Sequence, residues 1–130
     1  MNHINRETIL SAINKTQTAL KATQSELCLP IIRRIHNKMI YDIKFEEIKV
    51  CDGLIIDGHH RYISSLLAKK SINHVPSAKT SATTEFEWEN IDFVEVEWDT
   101  EAKINHLNRQ DADFNDIAIE KIIEITNKTS

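Results

Sequence analysis

The sequence predicts an α+β domain, a small mixed sheet packed by helices. Three observations lead there: apolar residues at helical spacing towards both ends, a hairpin signal in the middle, and a second alternating run in the last third. That order of elements, with no internal repeat and no dividing linker, suits helices laid against one small sheet. With 130 residues, 41% of them hydrophobic and 28% charged, the chain is expected to form a single domain over 1–130. It is long enough to bury a core without staples.

The first helix is capped by Asn5 and puts Ile9, Ile13 and Leu20 on one face, opposite Lys15, Gln17 and Lys21. Ala22 to Ser25 reads as a break, and Pro30 suits the first turn of a second helix with Ile32, Ile35 and Met39 as its apolar stripe. Arg33, Arg34 and Lys38 form the dense basic cluster of that helix and are expected to be a solvated face, with His36 a boundary residue. Tyr41, Ile43 and Phe45 alternate with polar partners, as do Ile48 and Val50, which is the mark of a half-buried strand. Asp52-Gly53 between two such runs is a hairpin signal.

The candidate chemistry follows at once. Leu54 to Ile56 is a short apolar strand, Ile63, Leu66 and Leu67 recur at helical spacing, and Gly58 falls where strand hands over to helix. A helix start leaves N–H groups unpaired and carries the positive end of the dipole, so it favours an anion such as phosphate. Gly58 permits a tight turn and a close backbone approach. His59, His60 and Arg61 add donors, and an arginine can hold phosphate through two parallel bonds. Asp57 can accept a proton, hold a metal or simply cap the helix.

Asp57-Gly58-His59-His60-Arg61-Tyr62, with a strand before it and a helix after it, resembles the signature of the ParB/sulfiredoxin superfamily. The resemblance covers Phe45 to Pro76. Sulfiredoxins carry a catalytic cysteine where this chain has His59, so the reductase activity is not implied. Chromosome-partitioning ParB proteins have Gly-Glu-Arg-Arg there, which this chain lacks. The pattern is most similar to members with Asp-Gly-His-His-Arg, among them free-serine kinases and ParB-like nuclease domains. It implies that Gly58, His59, His60 and Arg61 bind the phosphates of a nucleoside triphosphate or diphosphate. Asp57 and His59 are the catalytic candidates, and Mg²⁺ would bridge the phosphates. Such kinases also use an upstream acid. Glu26 is one candidate, though it reads equally as a first-turn helix charge; Glu46 and Glu47, on the paired strand, are weaker site candidates than Asp57.

Beyond the motif, Ser64 and Ser65 either bond backbone carbonyls or approach a ligand, Lys69 and Lys70 suit a helix end, and Val75-Pro76 reads as an edge strand. Ser77 to Thr84 reads as a loop without the glycines of a phosphate cradle. Val94, Val96 and Trp98 alternate with Phe93, Glu95 and Glu97, predicting an antiparallel-style strand with an acidic outer face. Asp99 and Thr100 offer caps for a short helix with Ile104 and Leu107. Asn108 to Asp116 is expected to be a polar loop lying across a pocket; its acids lack the glycine and terminal glutamate of a calcium loop, and no metal ligands are assigned. A closing helix runs from Ile117 to about Thr126 with Ala118, Ile122 and Ile125 inward, and Asn127 to Ser130 is expected to fray.

A net charge of -4 argues against extended nucleic-acid binding. Cys28 and Cys51 lack the spacing of a zinc site or disulfide framework, and the absence of a leader or membrane span predicts a cytoplasmic protein. Two functions follow. One is a nucleotide- or phosphate-binding domain that catalyses Mg²⁺-dependent phosphoryl transfer or phosphodiester cleavage. The other is a non-catalytic protein-binding module, such as an immunity or antitoxin protein that neutralises a toxin through its acidic strand and loop.

Overall fold

The computed structural model describes residues 4–17 and 19–128. The chain is α+β, as its element order predicts. Helix α1 (Arg6–Asn14) starts in a reciprocal box: Asn5 Oδ1 accepts the Thr8 N–H at 3.0 Å, and the Thr8 hydroxyl accepts the Asn5 N–H at 2.9 Å. Ile9 and Ile13 are buried, but the helix stops before Leu20, so that residue is not on its face. From there the chain runs extended, with isolated bridges from Lys21 to Leu54 and from Ala22 to Phe86.

Strand β1 (Glu26–Cys28) leads directly into α2 (Leu29–Ile40), whose first turn holds Pro30. Glu26 is therefore a strand residue and not a first-turn helix charge. Ile32 and Met39 are buried as predicted. The strand expected over Tyr41 to Phe45 does not form. Asp42 takes a left-handed conformation (φ 65°) that turns the chain out of line, and Ile43 and Phe45 pack against α4 and α5 instead. Their alternation reports burial without a ladder.

Strands β2 (Ile48–Cys51) and β3 (Leu54–Asp57) form the predicted antiparallel hairpin. Asp52 and Gly53 both have positive φ, 52° and 78°, which a two-residue primed turn requires. A register shift at Lys49/Val50 then sets Lys49 opposite Asp57 at the end of β3. Helix α3 (His59–Ala68) follows, and β4 (His74–Pro76) pairs in parallel with β2 as an edge, giving the order β3-β2-β4.

After the irregular stretch from Ser77, a 3₁₀ turn at Trp88–Asn90 precedes β5 (Asp92–Val94). The last alternating run thus corrects to a short strand, and it lies parallel to β1, not antiparallel. Helix α4 (Glu101–Asn115), capped by the Thr100 hydroxyl, takes in the segment expected to be a loop. Only Asn108 and Ala112 of α4 are buried, so its polar sequence carries almost no apolar stripe to announce a helix. Helix α5 (Ile119–Thr126) starts later than predicted, with Ile122 and Ile125 inward and Ala118 exposed at the cap. Of the C-terminal stretch expected to fray, residues 129–130 lie outside the described part.

The main core gathers Ile9, Leu27, Ile32, Ile48, Ile55, Ile63 and Ile91 between the helices and the hairpin. Each such side chain contributes about 1.5–3 kcal/mol by leaving water. A smaller cluster of Ile43, Ala112, Ile122 and Ile125 lies beneath α4 and α5. Among the described residues no helix is long and apolar enough to cross a membrane.

Candidate functional site

The turn from β3 to α3 is built for glycine. Gly58 has φ 103°, and a Cβ there would lie 2.5 Å from Ile48 Cγ2 and 2.9 Å from Arg61 Nη2. No side chain caps the start of α3, so Asp57 does not act as its cap. The Asp57 side chain is 63% exposed, with Oδ2 3.8 Å from Arg61 Nη2.

The two histidines point into the fold. His59 is 3% exposed, and its Nε2 accepts the Thr23 N–H at 2.9 Å. His60 Nε2 accepts the Cys28 N–H at 3.0 Å, and its ring meets Trp98 edge-on at 5.4 Å between centroids. A ring nitrogen that accepts an N–H cannot carry a proton, so both imidazoles are neutral with the proton on Nδ1. Burial pushes each down to about 4; the Asp57 charge opposes this at His59, while His59, Arg61 and Arg34 reinforce it at His60. The pair thereby fastens α3 to the extended Thr23 segment and to the start of α2. Ser64 belongs to the same seam, its hydroxyl lying 2.7 Å from His60 O and 3.0 Å from Ile32 O, and Ser65 donates to Tyr62 O at 2.7 Å. Both serines bond backbone carbonyls.

Arg61 points elsewhere. It lines a cavity of about 300 Å³ between α2, α4 and the start of α3. Its Nε is buried with no hydrogen-bond partner, and its Nη2, besides facing Asp57, donates one long bond to Glu47 O at 3.5 Å. The walls are apolar, from Ile31, Ile35, Phe45, Ile104, Leu107 and Phe114, with Arg34, Lys38, Asn108 and Asp111 between them. The space is open to solvent on one side and falls at the small end of the size range of small-molecule sites.

The basic face of α2 is thus not a solvated one. Lys38 is 4% exposed, and its Nζ lies 2.6 Å from Asp111 Oδ2 on α4. Burial pushes its pKa down, opposed by the Asp111 charge and hydrogen bond. Arg34 pairs with Glu97 and, at 3.2 Å, with Asp99, while Arg33 binds Glu95 through two bonds of 2.7 and 2.9 Å. Glu95 and Glu97, the expected free acidic face, are therefore neutralised by α2.

The structure brings Asp57, Gly58 and Arg61 together at the turn and sends His59 and His60 away from the cavity. The segment 108–116 does lie along the cavity, as a helix. Glu46 is at its edge, but Glu26 is exposed on β1 and does not line it. Sequence reasoning missed Arg34 and Lys38 as cavity residues. The available signal was that Arg34 and Lys38 are four apart and interleaved with Ile31 and Ile35. Among the described residues no cluster of three or more His, Cys, Asp or Glu is placed to hold a metal ion. No family model, curated protein or solved structure matches the chain.

Proposed function

We propose that this protein binds a small phosphate-bearing ligand, with its anionic group at the start of α3 against Arg61 and its body in the α2–α4 cavity. The observation that carries this is Arg61, which lines the cavity from the first turn of a helix that no side chain caps and whose buried Nε has no hydrogen-bond partner. A buried donor without a partner costs about 1–3 kcal/mol, and a guanidinium that turns to meet a ligand oxygen recovers it. The helix start adds N–H groups and positive potential to the same place.

The resemblance to the ParB/sulfiredoxin superfamily supplies the class of ligand, a nucleotide, and the reaction, Mg²⁺-dependent phosphoryl transfer or phosphodiester cleavage. In this reading Asp57 is the proton acceptor or a carboxylate for Mg²⁺, an ion that phosphates largely hold for themselves. Its exposed side chain beside Arg61 suits either role. His59 and His60, their Nε2 atoms already engaged, act by holding the turn in shape. The alternative, a module that neutralises a basic partner through free acids, gains nothing from Glu95 and Glu97, which are paired with Arg33 and Arg34.

Thermal melting with ATP, ADP, CTP and GTP, each with and without Mg²⁺, tests the reading. A ligand at a hundred times its Kd stabilises the folded state by about 2.7 kcal/mol. A rise in melting temperature that is lost in Arg61→Gln is expected. No rise with any nucleotide, or a rise that Arg61→Gln retains, overturns it.

A further inference from the structure

Three cations and three carboxylates line the α2–α4 cavity: Arg34, Lys38 and Arg61 against Glu46, Asp99 and Asp111. Two of the cations are already answered from within the fold. Arg34 holds Glu97 and, at 3.2 Å, Asp99, while Lys38 holds Asp111 at 2.6 Å. Asp99 and Asp111 are each only 17% exposed at the side chain, so water and salt screen these pairs little. Arg61 differs. The carboxylate that faces it, Asp57, is 3.8 Å away and 63% exposed, which makes a weak pair, and its buried Nε has no partner at all. Glu46 is exposed at the cavity edge and takes part in no ion pair among the described residues.

We infer that the cavity selects a ligand carrying one phosphate, a monophosphate ester of an apolar or aromatic body, over ligands carrying a chain of phosphates. This rests on the phosphate reading above and narrows it. One phosphate meets Arg61 and the N–H groups at the start of α3. A second or third finds no cation to spare, and must take Arg34 from Asp99 or Lys38 from Asp111. The displaced carboxylate would then stay in a mostly buried wall with its charge uncompensated, a larger cost than a repulsion in open water. Glu46 adds repulsion at the mouth. The apolar side chains of the wall suit the body of the ester and have nothing to offer a phosphate.

AMP, ADP and ATP share one body and differ in phosphate count, so isothermal titration calorimetry of the three isolates the count. Mg²⁺ is kept present throughout, so that ATP is not penalised for its bare charge alone. AMP is expected to bind roughly tenfold or more tighter than ATP, with ADP between them. Asp99→Asn and Asp111→Asn each remove one wall charge while keeping an oxygen that accepts from Arg34 or Lys38. Each is expected to narrow the gap between AMP and ATP by about threefold or more. Asp99→Asn leaves Arg34 paired with Glu97, so it serves even where Asp111→Asn fails to fold. ATP that binds as tightly as AMP, and through Arg61, overturns the inference and leaves the phosphate reading standing. A preference for AMP that Asp99→Asn leaves unchanged also overturns it, because size and not charge then sets the count. Binding of none of the three overturns the phosphate reading itself, and this inference with it.

Discussion

The chain buries two regions of unlike construction. In the first, around the hairpin and α3, the histidines and serines of the His59–Ser65 stretch bond to backbone: His59 to Thr23 N–H, His60 to Cys28 N–H, Ser64 and Ser65 to carbonyls. All these groups are neutral, and Ile55 and Ile63 fill the space around them. In the second, where α4 faces α2, the links are charged, Lys38 to Asp111 and Arg34 to Asp99, and a cavity remains between the helices. Neutral backbone-directed bonds allow close packing because no ion has to be kept hydrated or compensated. Long charged side chains span a gap and leave room beside them. The first region is packed through, the second keeps a cavity, and Arg61 stands at the border.

The comparison is broken most severely by acid. His59 and His60 are held down to about 4 in the folded chain by burial, while in the unfolded chain each sits near its ordinary value of about 6.5. Between those two values the unfolded chain binds protons that the folded chain refuses. The stability contributed is therefore complete above the unfolded value and is lost as pH falls towards the folded one. The slope is about 1.4 kcal/mol per pH unit for each histidine, several kcal/mol in all. Urea titrations through this window should show the midpoint falling steeply, and His59→Gln should flatten the slope by about half. A midpoint that stays level through the window contradicts the neutral scaffold.

On the charged side, removing one partner of a buried pair leaves the other ion uncompensated. Lys38→Ala is expected to cost about 3 kcal/mol, and Lys38→Met combined with Asp111→Leu to recover most of it, since apolar replacement of both partners is often neutral. A double-mutant cycle by chemical unfolding measures both. The turn should be less costly to disturb: Gly58→Ala, strained at φ 103° and crowded by Ile48, is expected to lose about 2 kcal/mol, seen as a lower urea midpoint. The smallest effect is reserved for the acidic face. Glu95 is 66% exposed at its side chain, so Glu95→Gln should change stability by less than about 1 kcal/mol despite its two bonds to Arg33.

The hairpin was legible because Asp52-Gly53 is local chemistry, set by two residues that accept positive φ. The α3 junction was legible for the same reason at Gly58. What the sequence hid was set at long range. β1 and β5, three residues each, are too short to show a period, and they exist because they pair across sixty-odd positions of chain. The polar run of α4 reads as loop because one side meets solvent and the other a cavity. Lys38 reads as surface because only its partner, Asp111, far along the chain, explains its burial. The histidine doublet reads as a pair of phosphate donors because its backbone partners, Thr23 and Cys28, could be found only in three dimensions.

The most direct measurement is the Arg61 side-chain Nε–H resonance in ¹H–¹⁵N spectra, followed while ADP with Mg²⁺ is titrated in. The account predicts that this resonance shifts with saturable dependence on ligand, together with the amides of Gly58 to Arg61. An Arg61 Nε–H that does not move while other amides titrate, or a spectrum that nucleotide leaves unchanged, would contradict it.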